Sequence, residues 1–207
     1  MSSSQVWRWA LPAPAVPAEL ILRLQKYRDL AEVPAAIRDA AEEAASQATA
    51  LIAPEVVVWR GAAAVEDERV VLGGTQEFQS RGLARLLARS DEAYVIVLTI
   101  GAALEERAHA MFEEQLFLES VLLDTAAWAA IELLMRTIRR RLGDVERPDG
   151  RSVTHRLGPG HLDWPLAEQP ALLALFGETP LPVRLNEAAC MLPQKSISGV
   201  LGIVPCC

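Results

Sequence analysis

The stretch Ala93–Ile100, with the sequence AYVIVLTI, is a continuous apolar run of strand length that ends at Gly101. Most half-buried strands alternate polar and apolar residues, whereas a run without alternation is typical of a strand buried on both faces. We therefore predict a buried central strand at this position.

The sequence on either side of this strand mixes helical and extended patterns. Helices are predicted over residues 17–30, 35–52, 81–90, 104–115, 117–142 and 166–176, and extended segments over residues 55–59, 69–72, 182–185 and 196–204. Strands and helices do not alternate strictly, which favours an α+β domain over a doubly wound α/β domain. Residues 143–151 are polar, include Pro148 and Gly150, and predict a loop.

The composition restricts the classes of partner. A chain of 207 residues is long enough for one domain with a sizeable core, and its formal net charge of −7 argues against binding to nucleic acid or to an anionic membrane. No apolar run reaches the roughly 18 residues of a membrane-spanning helix. Residues 1–17 contain three prolines and lack the features of a secretory signal, so we expect an extended, poorly ordered N-terminal arm and a cytoplasmic protein.

The cysteines and histidines give little sign of metal or nucleophilic chemistry. Cys190 lies in an apolar run and is predicted to be a small core residue, while Cys206 and Cys207 are adjacent and form only a weak metal or redox signal. The three histidines lack metal-ligand spacing, and the sequence contains no glycine-rich nucleotide loop. We predict no metal site and no catalytic acid or base.

Residues 154–166, with the sequence THRLGPGHLDWPL, are the part of the chain that best fits a ligand site. Gly158 and Gly160 flank a proline, so a ligand can approach the main chain closely on either side of a stiff residue. Arg156 can bind a carboxylate with two parallel hydrogen bonds, and His161 offers a flat polar ring. The alternative is an ordinary Gly-Pro-Gly surface turn with a nearby arginine.

Several short motifs accompany this stretch in a fixed order. They include the sequences LTIG, LLD, RLGPG, WPL, LNE and PQKSISG, which are spread over residues 93–203, about half of the chain. In this order they resemble the reactivation domain of cobalamin-dependent methionine synthase, in its stand-alone form. The family usually has a tyrosine where this chain has His161, and a small Gly-Ser pair where it has Ala127 and Trp128.

The resemblance implies a single curved α+β domain over residues 18–207, with a central, mainly antiparallel sheet flanked by helices and a groove for S-adenosylmethionine. It implies that Arg156 pairs with the ligand's carboxylate and that the main chain at Gly158 and Gly160 contacts the ligand. It also places Glu132 against the cationic part of the ligand and His161 beside it. From the residues alone, a solvated carboxylate that pairs with Arg136 one helical turn later is the better interpretation of Glu132.

The segment at Lys195 and Ser196 completes the predicted site. Polar and apolar residues alternate from Lys195 to Ser198, as in a half-exposed strand whose polar face lines the groove or contacts a corrinoid partner. The alternative is a plain edge strand guarded by a lysine.

The function implied by the resemblance is reductive methylation of a corrinoid. A reductant such as a flavodoxin-type protein supplies one electron to the oxidised corrinoid, and the methyl group of S-adenosylmethionine traps the reduced cobalt. Because no corrinoid-carrying module is recognisable here, the cobalamin is expected on a partner, either a separate cobalamin-dependent methionine synthase or another corrinoid protein. Two alternatives stay open: a non-catalytic docking module for a corrinoid protein that no longer binds S-adenosylmethionine, and a metal- or redox-linked protein that uses Cys206 and Cys207.

Overall fold

The computed structural model describes residues 4–206, whose centre is a seven-stranded sheet with antiparallel pairing. The strands are β1 (Gln5–Ala10), β2 (Glu55–Glu66), β3 (Arg69–Leu72), β4 (Gln76–Gln79), β5 (Glu92–Thr99), β6 (Arg151–Val153), β7 (Arg184–Leu185), β8 (Met191–Leu192) and β9 (Ser196–Pro205). The sheet has the order β4-β3-β2-β5-β9-β6, and β1 pairs with the first half of β2. Strands β7 and β8 form a separate hairpin.

Helices cover both faces of the sheet. They are α1 (Ala18–Leu24), α2 (Ala35–Leu51), α3 (Arg81–Leu87), α4 (Ala103–Glu113), α5 (Phe117–Glu146) and α6 (Gln169–Ala174), with 3-10 turns at Arg147–Asp149 and Leu166–Glu168. Helices α1, α2, α4 and α5 enclose one apolar core, and α3 and α6 enclose another on the opposite face. The α+β class and the mainly antiparallel central sheet are therefore confirmed.

Strand β5 is the buried central strand that the sequence predicts. It pairs with β2 on one side and with β9 on the other, and every residue from Ala93 to Thr99 is buried. Tyr94 and Ile96 face the core that contains α5, while Val95 and Val97 face the core that contains α3. Because both faces of the strand are covered by helices, its sequence does not need to alternate.

The N-terminal segment differs from the poorly ordered arm expected from its prolines. Residues 5–10 form β1, which pairs with β2 from Gln5 opposite Arg60 to Ala10 opposite Glu55. Trp7 and Trp9 pack against the core that contains α5, whereas Arg8 between them is exposed. The burial of two indole rings and the main-chain pairing together offset the entropy lost when the segment is ordered.

The prediction of a loop over residues 143–151 is wrong, because α5 continues to Glu146 and β6 starts at Arg151. Glu146 is fully buried, and its carboxylate lies 3.4 Å from Nη1 of Arg60 and 2.7 Å from Nη2 of Arg151. Oε2 of Glu92 lies 2.9 Å from each of these arginines, and the hydroxyl of Tyr94 donates to Glu146. The polar residues of this stretch thus pair inside the protein instead of facing solvent.

Two members of this cluster, Tyr94 and Glu92, have shifted pKa values. Burial and the hydrogen bond to Glu146 raise the pKa of Tyr94 well above its usual value. Burial opposes ionisation of Glu92, but hydrogen bonds from Arg60 and Arg151 outweigh it and lower the pKa of Glu92. The ion pairs and hydrogen bonds of this cluster tie the end of α5 to the sheet.

The β7–β8 hairpin accounts for a third difference. Cys190, predicted as a core residue, is exposed, because the turn that precedes β8 lies outside both cores. Its amide donates to the Asn186 side chain at 2.9 Å, which closes the turn. The apolar run around Cys190 therefore belongs to a small surface hairpin.

Within residues 4–206, no helix combines the length and the apolar character that are needed to cross a membrane.

Candidate functional site

The segment that carries Arg156 extends the sheet beside β9. The Leu157 amide donates to the carbonyl of Val200 at 3.0 Å, and the Val200 amide donates back to the carbonyl of Leu157 at 2.7 Å. This isolated antiparallel bridge follows the pairing of β6 with the end of β9. Arg156 is therefore fixed at the sheet edge, beside the middle of β9.

Two glycines allow this close approach. A Cβ atom at Gly158 would lie 2.5 Å from the carbonyl oxygen of Ser198, and one at Gly199 would lie 2.6 Å from the carbonyl oxygen of Leu157. Neither position has room for a side chain unless the main chain moves. The structure thus gives Gly158 a packing role between two backbones, and its predicted contact with a ligand stays a prediction.

Arg156 is half-buried, and the protein provides partners for only part of its hydrogen-bonding capacity. Its Nη1 donates to the carbonyl of Ser198 at 2.5 Å, and among residues 4–206 it has no carboxylate within ion-pair distance. Burial lowers the pKa of Arg156, and the negative charge of Glu132 partly opposes this effect. A half-buried guanidinium without a carboxylate partner is suited to receive an anionic group of a ligand.

Glu132 lies on the exposed side of α5 and acts on Arg156 through its charge. The pairing with Arg136 that the sequence allows is not formed within 4.0 Å in the described part of the chain. Among the predicted residues, Glu132 is therefore a carboxylate whose charge acts on Arg156 without forming an ion pair with it.

Lys195 contacts the same helix on the N-terminal side of Glu132. Its Nζ lies 2.7 Å from Oδ1 of Asp124 and 4.7 Å from the centroid of the Trp128 ring. Asp124, Trp128 and Glu132 are spaced four residues apart, which places them on one side of α5. The sequence analysis of Lys195 predicts no contact with Asp124 or Trp128. The four-residue spacing of these two residues on α5 is the sequence signal that links them to each other.

Ser196 lies on the opposite side of the sheet from Lys195. Its hydroxyl donates to the Thr99 hydroxyl at 2.8 Å and lies 2.7 Å from the carbonyl of Pro193, and the residue is buried. Ser198 is also buried and accepts a hydrogen bond of 2.6 Å from Gln169. The half-exposed polar face and the lysine-guarded edge are therefore both wrong, because the serines bond within the protein and Lys195 is itself buried.

His161 is exposed and follows the turn that Gly160 makes with a φ of +88°. Its Nδ1 lies 3.1 Å from the carbonyl oxygen of Gly158. The turn is closed by a 2.8 Å hydrogen bond from the amide of Gly160 to the carbonyl of Trp164. The positive φ explains the glycine at position 160, since other residues adopt this conformation at a cost.

Asp163 fixes this turn to the start of α3. Its carboxylate accepts hydrogen bonds from the amides of Arg81 and Gly82 and from the hydroxyl of Ser80, at 2.7 to 3.0 Å. The amide of Gly82 is the main reason that the pKa of Asp163 is lowered. The turn that follows Arg156 is therefore held at both ends.

A cleft of about 700 Å³ opens beside Lys195, between α4 and α5. Its lining includes Glu105, Glu106, His109 and Asp124, and of the predicted site residues it contains Lys195. The carboxylate of Glu105 accepts hydrogen bonds from the amides of Gln194 and Lys195 and thereby fixes the segment that precedes β9. Arg156, Glu132 and His161 do not line this cleft.

No set of three or more metal-ligating side chains occurs within residues 4–206. Cys206 is exposed, and Cys207 lies outside the described residues. The metal- or redox-linked alternative therefore gains no support from the described residues.

Comparison with known proteins shows a likeness in fold. No protein-family model matches the sequence, and no curated protein matches it. Among solved structures, the MetH reactivation domain bound to AdoHcy has a similar fold, with a TM-score of 0.63 over 97% of this chain and 79% of that chain. The two are 16% identical in sequence. At this identity the likeness shows that the two proteins share a fold.

Proposed function

We propose that this chain binds S-adenosylmethionine at Arg156 and Glu132 and presents its methyl group to an oxidised corrinoid on a separate protein. The observation that carries the proposal is the half-buried guanidinium of Arg156, which has no carboxylate partner in the described chain and lies within the field of Glu132. The proposal is supported by the shared fold with a reactivation domain that was solved with AdoHcy, the demethylated product of this donor.

The charges of the two residues fit the ligand. The methionine part of S-adenosylmethionine carries a carboxylate and an ammonium group on the same carbon atom. We propose that the guanidinium of Arg156 pairs with the carboxylate of the ligand and that the carboxylate of Glu132 pairs with its ammonium group. The main chain near Gly160 and the ring of His161 lie on the same turn as Arg156 and are the further contacts that we propose.

The role of the protein is to bind and orient the methyl donor. The corrinoid supplies the cobalt that receives the methyl group, and it is carried by a cobalamin-dependent methionine synthase or another corrinoid protein. An electron donor of the flavodoxin type reduces this cobalt before the methyl group is transferred. No residue of this chain needs to move a proton in that reaction. We place the protein in the cytoplasm, where such partners act.

A docking module without a bound methyl donor is the second candidate. The observation that favours it is the group of exposed apolar side chains around the start of α5, among them Phe112, Phe117 and Val121. Phe112 and Phe117 form an edge contact with their ring centroids 5.0 Å apart. Exposed apolar clusters of this kind occur at protein interfaces.

Calorimetry with S-adenosylmethionine separates the two candidates. The wild type is expected to bind with a micromolar dissociation constant, and Arg156→Ala to bind about 10- to 100-fold more weakly, because a charge-assisted hydrogen bond is lost. Arg85→Ala is the matched control, since Arg85 is an exposed arginine of α3 on the other face of the sheet. A wild type that shows no binding heat rules out the first candidate.

A second measurement tests the methyl transfer. An oxidised cobalamin-dependent methionine synthase that lacks its own reactivation domain is mixed with S-adenosylmethionine, a reduced flavodoxin and this protein, and methylation of the corrinoid is followed by its visible absorbance. We expect methylation with the wild type and with Arg85→Ala, and a much lower rate with Arg156→Ala. Equal rates with and without the protein would count against the proposed role.

A further inference from the structure

Trp128 is a large aromatic side chain that the fold leaves half in solvent. It is 46% exposed, although it lies on α5 beside the buried Lys195. One face of its ring receives the ammonium group of Lys195, and Asp124 holds that ammonium group at 2.7 Å. Lys195 thus contacts the Trp128 ring while its own charge is balanced by Asp124. The electron-rich ring is therefore still able to bind another cationic group.

Trp128 is one helical turn from Glu132. Four residues of an α-helix span about 6 Å along the axis. In S-adenosylmethionine the sulfonium sulfur lies three bonds from the carbon atom that carries the carboxylate and the ammonium group. A ligand whose carboxylate pairs with Arg156 and whose ammonium pairs with Glu132 therefore has a chain long enough for the sulfonium to reach the next turn of α5.

The two cationic groups of the ligand need different partners. An ammonium group has N–H donors and is suited to a carboxylate, whereas a methylsulfonium has no N–H donor and carries its charge on a soft, partly apolar centre. Aromatic faces bind quaternary cations of this kind through the quadrupole of the ring. Along α5, the carboxylate of Glu132 and the ring of Trp128 provide these two types of partner in the matching order.

We propose that the Trp128 ring binds the methylsulfonium of S-adenosylmethionine and makes the site prefer this charged donor over neutral S-adenosylhomocysteine. The inference rests on the proposed function, which it deepens by assigning a residue that selects the ligand. Its consequence is that transfer of the methyl group removes the charge that the ring binds. The product is then held less tightly than the donor and leaves.

The test measures the dissociation constants of S-adenosylmethionine and S-adenosylhomocysteine for two variants by calorimetry. Trp128→Leu keeps an apolar side chain but removes the ring, and Trp128→Phe keeps a smaller ring. We expect Trp128→Leu to weaken binding of the charged donor about tenfold, and that of the neutral product about twofold. Trp128→Phe should retain most of the preference for the donor.

Phe117→Leu is the matched control, because Phe117 is an exposed aromatic residue of the same helix, 53% accessible, and is separated from Trp128 by three turns. It should leave both dissociation constants unchanged. Thermal unfolding of each variant checks the fold, which a half-exposed side chain affects little. A merely structural role for Trp128 predicts equal weakening of both ligands.

The outcomes separate this inference from the proposed function. If the wild type binds neither ligand, the proposed function fails. If the wild type binds both and Trp128→Leu weakens them equally, the role of Trp128 is overturned while binding at Arg156 stands. A changed ratio of the two dissociation constants in Trp128→Leu, with an unchanged ratio in Phe117→Leu, supports the assignment.

Discussion

The main chains of Leu157 and Val200 exchange two hydrogen bonds, at 3.0 and 2.7 Å, across the edge of the sheet. This bridge turns the segment that carries Arg156 into a short continuation of the sheet beside β9. The guanidinium of Arg156 is therefore positioned by backbone pairing and by its own hydrogen bond to Ser198, and not by a mobile loop. Its position depends on how closely the two backbones approach, which leads to the first prediction.

Gly158→Ala should disturb the site and destabilise the fold. The added Cβ would lie 2.5 Å from the Ser198 carbonyl oxygen, so one of the two backbones must move. We expect a loss of about 1–3 kcal/mol in the free energy of unfolding, and weaker binding of S-adenosylmethionine. Urea unfolding and calorimetry measure the two effects.

Gly143→Ala is the control for this substitution. Gly143 lies in α5, and a Cβ there meets Val153 at an ordinary distance of 3.9 Å. Because alanine favours the helix, the control should gain about 0.5–1 kcal/mol. A Gly158→Ala protein as stable as the wild type would show that the bridge tolerates a wider spacing.

Glu146→Ala should be among the most destabilising single substitutions in α5. It removes a fully buried carboxylate and leaves Arg60 and Arg151 short of a partner. Breaking a buried ion pair on one side costs about 3–5 kcal/mol. Denaturant unfolding should show this loss, whereas Glu42→Ala, at an exposed position of α2, should change stability by less than about 0.5 kcal/mol. Similar values for the two variants would contradict the role given to the cluster.

The same cluster predicts how stability depends on pH. The pKa of Glu92 is lowered in the folded state, because hydrogen bonds from Arg60 and Arg151 outweigh the effect of burial. Ionised Glu92 therefore stabilises the fold above the pKa of the unfolded chain, about 4.3, and this contribution is lost as the pH falls through the lower folded-state pKa. The difference in unfolding free energy between the wild type and Glu92→Gln should be full at neutral pH and should shrink below about pH 4.3. A difference that stays constant down to pH 3 would exclude this linkage.

His161 offers a test of the turn as part of the ligand site. Its ring is exposed and lies 3.1 Å from the Gly158 carbonyl through Nδ1. His161→Tyr places a larger aromatic face at the same point, and we expect it to bind S-adenosylmethionine about three- to tenfold more tightly. His161→Ala should bind more weakly than the wild type. If both variants bind as the wild type does, His161 does not contact the ligand.

Much of the fold follows from local patterns in the sequence. The apolar run at Ala93–Ile100 marks β5 because burial on both faces leaves no polar position in a central strand. The helices follow from their apolar spacing. The strand at residues 5–10 was missed because its pairing with β2 is a long-range interaction, although the alternation of Trp7 and Trp9 with Arg8 is a strand pattern. The end of α5 was missed because Glu146 is polar in sequence and buried by partners far along the chain.

The site is less predictable for the same reason. Lys195 contacts α5 just before β9 begins, whereas the hydroxyl of the next residue, Ser196, bonds to Thr99, so the two side chains do not share the predicted groove. The field of Glu132 at Arg156 depends on the position of α5 over the sheet, which no local pattern encodes. The contact of Trp128 with Lys195 also depends on the position of α5 over the sheet.

The place of β9 in the sheet also sets an order of events when the chain is made. Its residues, Ser196–Pro205, are the last of the sheet to be synthesised, yet they lie between β5 and β6 and carry the bridge to Leu157. Until β9 leaves the ribosome, one edge of β5 is unpaired, and the segment that carries Arg156 has no strand with which to form the Leu157–Val200 bridge. Strand pairs this far apart in sequence form slowly. The ligand binding that we propose at Arg156 therefore requires that β9 has first joined the sheet.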